Sequence, residues 1–191
     1  DVEGAGATRS NHWIHPKGEV DALWTEAPEG APPGMFVSFA SLKDPSHDPG
    51  PKQKHAGEMM VLTDWSTVER WADMASGARG EDYQAFKSRV EDTLFAQFKT
   101  WFPELAELVV FRELSTPLAT AAITGHHHGA FYGLDITPER VMSKALRAKT
   151  PIPGLFLSGQ DVATPGIPGA LWGGVLSAAS VDPKVFAHFK G

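Results

Sequence analysis

The longest helical period in the chain covers residues 81–101, where Tyr83, Phe86, Val90, Leu94, Phe98 and Trp101 recur every three or four positions. An apolar stripe of that length has to be buried against another element, so the chain must build at least two packed layers. Glu81 and Asp82 suit the positive end of the helix and Pro103 stops it. At about 1.5–3 kcal/mol for each large apolar side chain fully buried, the stripe is enough to dock the helix firmly.

The surface it packs on is expected to be a sheet. Residues 11–15, 35–40 and 58–63 are aromatic or branched runs bounded by Gly and Pro clusters, the signature of short strands. Residues 27–34 and 44–54 between them are rich in Pro and Gly and read as surface loops. Ser66 with Glu69 three residues on has capping-box spacing, which predicts a helix to about Ser76. Further strand-like pieces lie at 108–114 and 129–134, and helix starts at Ser115-Thr116-Pro117 and Thr137-Pro138-Glu139, with Pro preset at the first turn. The fold class expected is α+β, an antiparallel sheet with helices on one face. From about residue 150 the character changes: a stiff Thr-Pro-Ile-Pro-Gly connector, an apolar strand at 155–158, and a helix of small residues at 169–180. Residues 1–149 and 150–191 are therefore assigned to separate structural contexts.

A chain of 191 residues that is 42% hydrophobic and 21% charged can bury a real core, which sets disorder aside. The net charge of -6 and the absence of any basic run exclude a nucleic-acid partner, because phosphate contacts need clustered Lys and Arg. With no cysteine, disulfides, thiolate-bound zinc, iron–sulfur clusters and thiol catalysis are all excluded. No apolar run reaches the roughly 18–20 residues that span a bilayer, and residues 1–10 have neither the charge nor the apolar core of a signal peptide. The opening Gly/Ala stretch without Met reads as the middle of a longer polypeptide, and a cytoplasmic setting fits this composition.

The segment with most chemical content is Gly154-Leu-Phe-Leu-Ser-Gly-Gln-Asp161, followed by Pro165-Gly166-Ile-Pro-Gly-Ala-Leu-Trp-Gly-Gly174. A strand ending in glycine brings backbone close to whatever lies beyond its carboxyl end, the usual ligand position in α/β sheets. Asp161 stands there as an acceptor suited to sugar-type hydroxyls. The helix start that follows favours an anion or developing negative charge. Gly169, Gly173 and Ser177 share a face on which nothing projects, so either a flat ligand or another stretch of backbone approaches it closely. Gly4-Ala-Gly6 follows no apolar strand and has Arg at position 9, which makes it a poor phosphate loop. His126-His127-His128 would need a further protein ligand to hold zinc, His47, His55 or a carboxylate being the candidates. Tyr132 and these histidines are the groups able to move a proton, and no catalytic residue is singled out from them.

The run from Ala145-Leu-Arg-Ala-Lys through Ser158-Gly-Gln-Asp-Val162, with Gly169-Ala170 and Gly173-Gly174, resembles the C-terminal FAD signature of the retinol saturase, carotenoid isomerase and phytoene desaturase family. Phe36-Val-Ser-Phe-Ala-Ser-Leu-Lys-Asp-Pro45, Arg79-Gly-Glu-Asp-Tyr83, Phe102-Pro103, Ser115-Thr-Pro-Leu118 and Tyr132-Gly133 resemble its substrate-side region. The resemblance implies a substrate-binding domain over 1–149 and a C-terminal piece of an FAD domain over 150–191, without the N-terminal dinucleotide-binding half, which would be this chain's partner. It implies that Gly159, Gln160 and Asp161 contact the FAD ribityl and pyrophosphate region, and that Gly169, Ala170 and Leu171 lie at a helix start facing the flavin ring. It further implies saturation, desaturation or isomerisation of C=C bonds in an isoprenoid, carotenoid or retinoid-like substrate, and hence peripheral contact with a membrane. Two other readings stand beside it: a module binding an apolar ligand or a protein without flavin, and a histidine-cluster metalloprotein.

Overall fold

A computed structural model describes residues 1–15, 32 and 34–189. Most of the 27–34 loop lies outside the described residues. The chain divides into two compact units, Asp1–Ala119 and Thr120–Gly191.

The first unit carries a three-stranded antiparallel sheet, β1 (His12–Ile14), β2 (Met35–Ser38) and β3 (Glu58–Met60), in that spatial order. Val37 at the centre pairs with His12 on one side and Met59 on the other. Alternation along β2 buries Met35 and Val37 and turns Phe36 to the other face, where it meets the Trp13 ring at 4.8 Å. A short helix α1 (Ala40–Lys43) follows β2. Ser41 then pins the end of the 44–54 loop, its hydroxyl oxygen accepting from the Ala56 N–H at 3.0 Å.

The long helix α2 (Gly80–Trp101) carries Glu81 and Asp82 in its first turn and Lys99 in its last, matching the helix dipole at both ends. It serves two clusters. Its C-terminal half contributes Phe98, which joins Met35, Val37, Phe39, Leu105 and Ala106 against the sheet. Its N-terminal half contributes Tyr83 and Phe86, packed with Val68, Trp71 and Leu118. The Tyr83 hydroxyl is satisfied there by Thr116 Oγ1 at 2.7 Å. Pro103 ends α2 and opens α3 (Pro103–Ala106). Trp101, counted on the core stripe from its spacing, is instead mostly exposed, because the stripe drifts off the contact in the last turn.

Two expected elements take other forms. Residues 65–71 make two single-turn 3-10 helices, Trp65–Thr67 and Glu69–Trp71, and the cap is Asp64, whose carboxylate accepts from the Ser66 N–H at 2.8 Å. Trp65, Val68 and Trp71 are spaced by three, and a helix with three residues per turn places all of them on the second cluster, which an α-helix would not. The strand expected at 108–114 is an unpaired extended segment, with Val110 85% and Phe111 76% exposed. It is held to α2 by Arg112, which reaches Glu91 at 3.3 Å and Asp92 at 3.1 Å over the Phe95 ring.

Helix α4 (Pro117–Thr124) leads from the first unit into the second, which contains α5 (Pro138–Met142) and α6 (Gly166–Val181). Thr137 caps α5 by accepting from the Arg140 N–H, with Pro138 in the first turn. The extended piece expected at 129–134 is replaced by a 3-10 turn (His127–Gly129) and bends. The strand expected at 155–158 shrinks to one antiparallel bridge, Lys149 with Phe156, closed by Leu157 N–H donating to the Ala148 carbonyl at 2.8 Å. A strand needs a neighbour on at least one edge, and among the described residues this short return of the chain is what pairs with it.

Candidate functional site

Two short pieces of the second unit converge on Asp161. The turn at Gly133–Leu134 comes from one side, and the Leu134 N–H donates to Asp161 Oδ1 at 3.0 Å. Gly133 is required at this approach: its φ is +73° and a Cβ there would lie 2.6 Å from the same carboxylate oxygen. From α5, the Arg140 guanidinium comes within 3.5 Å of Asp161 Oδ1 and donates to the Gln160 carbonyl at 3.2 Å. Its other arm donates to the Leu134 and Asp135 carbonyls. The Arg140 side chain is only 9% exposed, whereas that of Asp161 is 42% exposed.

Gln160 carries the arrangement into α6. Its side-chain carbonyl accepts from the Gly166 N–H at 3.0 Å, satisfying one orphan donor of the helix start. Helix α6 begins at Gly166 rather than at Gly169, so Gly169, Ala170 and Leu171 lie in the end of the first turn and the start of the second. Pro168 has no N–H, and with Gly166 already engaged, the helix start offers fewer donors to an anion than the sequence implied.

The small-residue face of α6 is accounted for by backbone. A Cβ on Gly169 would sit 1.3 Å from the Thr164 carbonyl oxygen, and one on Gly173 2.0 Å from that of Gly159. Ser177 continues the face, donating from Oγ to the Leu157 carbonyl at 2.5 Å. Residues 157–164 are thus clamped along α6 at a separation only glycine and serine permit. Gly159 itself has φ +103°, which leaves its carbonyl free to point at Gly173. What faces outward is apolar: Ile167 is 79% and Leu171 68% exposed, with Ala170 also exposed.

The six residues singled out in the sequence therefore divide. Gly159, Gln160 and Asp161 form one loop with a half-exposed carboxylate, Ala170 and Leu171 present an exposed apolar surface, and Gly169 is spent on internal packing. A cavity of about 170 Å³ borders the loop, lined by Arg140, Ser143, Arg147, Asp161 and Thr164 among others. That is below the roughly 300–1,000 Å³ of sites that enclose a cofactor-sized ligand, so this cavity can serve as part of a wall and does not by itself enclose one. For an FAD the residues present fit on that side: glycine backbone, one water-facing carboxylate and an apolar shelf.

The other candidates are placed as follows. His126 donates from Nδ1 to the Ala130 carbonyl at 2.8 Å; a carbonyl only accepts, so Nδ1 bears the proton. His127 and His128 stack at 3.8 Å, and no group of three His, Asp or Glu among the described residues is arranged to hold a metal. Tyr132 is exposed and meets Phe131 edge-on. Gly4-Ala-Gly6 forms a turn in the first unit that buries Ala7 in the core. Arg140 and Gly133 were not visible as site residues beforehand: Arg140 reads as an ordinary first-turn residue of a short helix, and no local pattern ties it to a loop twenty positions on.

No family model matches the chain, and no solved structure matches it. Curated proteins do. An all-trans-retinol 13,14-reductase of Rattus norvegicus is 33% identical over 82% of the chain, and one of Homo sapiens 32% identical over 78%. These relatives bear on the retinol saturase family. An inactive all-trans-retinol 13,14-reductase of Danio rerio is 34% identical over 94% of the chain. The chain spans 26%, 25% and 31% of the length of these three relatives, about a quarter to a third of each.

Proposed function

We propose that the chain forms one side of an FAD-dependent oxidoreductase acting on a C=C bond of an isoprenoid or retinoid-like substrate, with residues 1–149 on the substrate side and 150–191 completing the FAD domain. The observation that carries this reading is the similarity to all-trans-retinol 13,14-reductases across most of the chain. FAD, when bound, would supply the hydride chemistry. The chain's own residues would position it. Asp161 Oδ2 takes no hydrogen bond within the described residues and suits a ribityl hydroxyl, since a carboxylate only accepts. Gly159 and Gln160 allow close approach of the cofactor backbone, and Ala170 and Leu171 would lie against the ring system, excluding water. Gly169 would contribute by letting α6 come near enough for that contact. The remaining polypeptide, a dinucleotide-binding half of the kind the relatives' greater length accommodates, would cover the apolar shelf at Ile167 and Leu171. An apolar substrate would bring the whole protein to a membrane surface peripherally; no helix among the described residues is long and apolar enough to cross one.

A second reading, an apolar-ligand or protein-binding module without flavin chemistry, is favoured by one observation: a relative as similar as the others is named inactive. One experiment separates the two. The intact protein is purified and its visible spectrum recorded, then incubated anaerobically with all-trans-retinol and a chemical reductant of flavin, with products resolved by chromatography. Bound flavin together with a dihydro product supports the enzyme; a colourless protein that retains retinol unchanged supports the binding module.

A further inference from the structure

Arg140 has no role in the sequence pattern, yet its guanidinium reaches four groups of the second unit. Its guanidinium is almost wholly buried and spans two chain segments, the 134–135 turn through one nitrogen and the Gln160 carbonyl and Asp161 carboxylate through the other. Each segment also contacts the next without Arg140: Leu134 N–H donates to Asp161, and Gln160 Oε1 accepts from Gly166 at the start of α6. A planar fork is the side-chain shape that can hold two segments at once, which an ammonium, a compact point charge, does not do.

We propose that Arg140 is the positioning residue of this site: it fixes the direction of the Asp161 carboxylate and the Gln160 backbone, and through Gln160 the start of α6, so that the loop and the apolar shelf present one rigid surface to the cofactor. This rests on the flavin reading given above. Arg140 touches no reacting atom. Its effect on a ligand passes through Asp161 and Gln160, and the Gly133 turn is the backstop against which Asp161 is held. Two consequences follow. Removing the fork frees Asp161 Oδ1 to rotate toward water, and adding a Cβ at Gly133 pushes the same carboxylate aside while leaving the fork intact. Both changes should therefore have the same signature.

The test uses the intact protein with FAD and the variants Arg140→Met, Arg140→Lys, Gly133→Ala and Asp161→Asn. FAD affinity is expected to fall roughly tenfold to a hundredfold in Arg140→Met, the loss of charge-assisted hydrogen bonds. Arg140→Lys should recover little of it. Arg140→Met and Gly133→Ala should shift the flavin absorption bands alike, and the double variant with Asp161→Asn should lose less than the product of the single losses, since the residues act as a unit. Amide exchange supplies a readout that needs no flavin: the Leu134 and Gly166 N–H groups should exchange at least about tenfold faster in Arg140→Met, their acceptors having been released. Unchanged exchange at both amides overturns the proposal, as does full recovery by Arg140→Lys or an unshifted flavin spectrum in a folded Arg140→Met protein. A wild-type protein without flavin sinks the flavin reading instead, and the exchange arm then decides the clamp alone. Should Arg140→Met fail to fold, Gly133→Ala and Arg140→Lys carry the same contrast.

Discussion

The two units reach order by opposite means. In Asp1–Ala119, large side chains interlock: Trp71, Tyr83 and Phe86 in one cluster, Val37 and Phe98 in the other, with α2 shared between them. In Thr120–Gly191, the closest approaches are made where side chains are missing, at Gly133, Gly169 and Gly173, and the binding is polar, through Arg140, Asp161, Gln160 and Ser177. Many of its large apolar residues, Ile167 and Leu171 among them, face outward. The first arrangement is that of a self-sufficient core. In the second, backbone and polar contacts set the geometry and apolar groups are left at the surface, which under the proposed function a further part of the protein would cover.

That contrast can be broken by substitution. Trp71→Ala should cost the first unit about 3–5 kcal/mol, the usual range for emptying an aromatic core site. Amide exchange of residues 68–98 should rise while that of 157–177 stays as it was; a loss shared equally by both units would show the division to be wrong. Gly173→Ala should destabilise the second unit by about 1–3 kcal/mol or more as α6 is forced off Gly159. The sign is informative, because alanine replacing glycine within an open helix stabilises by about 1 kcal/mol. A rise in the denaturation midpoint of that unit would mean that α6 does not sit on Gly159. Tyr83→Phe should cost about 1–3 kcal/mol by leaving the buried Thr116 hydroxyl without its partner, measured by denaturant titration. Leu171→Ser, at an exposed position, should change the chain's own stability by no more than about 0.5 kcal/mol and yet weaken cofactor retention in the intact protein. An unchanged cofactor affinity would show that the shelf is not the contact.

The smallest effect concerns pH. Hydrogen bonds from its own backbone N–H and from the Thr137 side chain hold the Glu139 carboxyl below the ordinary Glu value at the start of α5, the helix that carries Arg140. A carboxylate lowered in the folded state stabilises fully above its unfolded value, and the contribution is lost as pH falls through the folded one. Exchange at the Arg140 amide should therefore be flat through neutral pH and, corrected for its intrinsic pH dependence, rise only in acid, and Glu139→Gln should abolish that rise.

How legible all this was depends on how local the cause is. Helix α2, the three short strands and the Thr137 cap follow from periods and caps within a few residues, and they are found close to where the sequence puts them. Residues 65–71 combine two signals, a capping-box spacing that suits an α-helix and an apolar spacing of three, Trp65 to Val68 to Trp71, that suits a tighter turn, and the second prevails. The 108–114 and 155–158 segments have strand composition, but pairing depends on an edge elsewhere in the chain, which composition does not encode. At the site, the bare face of α6 announced a close approach and left open whether backbone or ligand makes it. Thr164 and Gly159 fill it, brought there by a loop whose path no local pattern encodes. The Arg140 clasp joins a short helix to a loop twenty positions on, and nothing in a single sequence marks such a pair.

The central claim is that the loop at 159–161 and the outward side of α6 at 167–172 together contact a flavin. Hydrogen–deuterium exchange of the intact protein, compared between its FAD-depleted and FAD-reloaded forms, tests it most directly. Within residues 1–191, protection at those two segments and the 133–135 turn, with the Val68–Phe86 cluster unchanged, is the predicted result. Reloading that protects other parts of the protein and leaves 159–161 and 167–172 exchanging as before would contradict it.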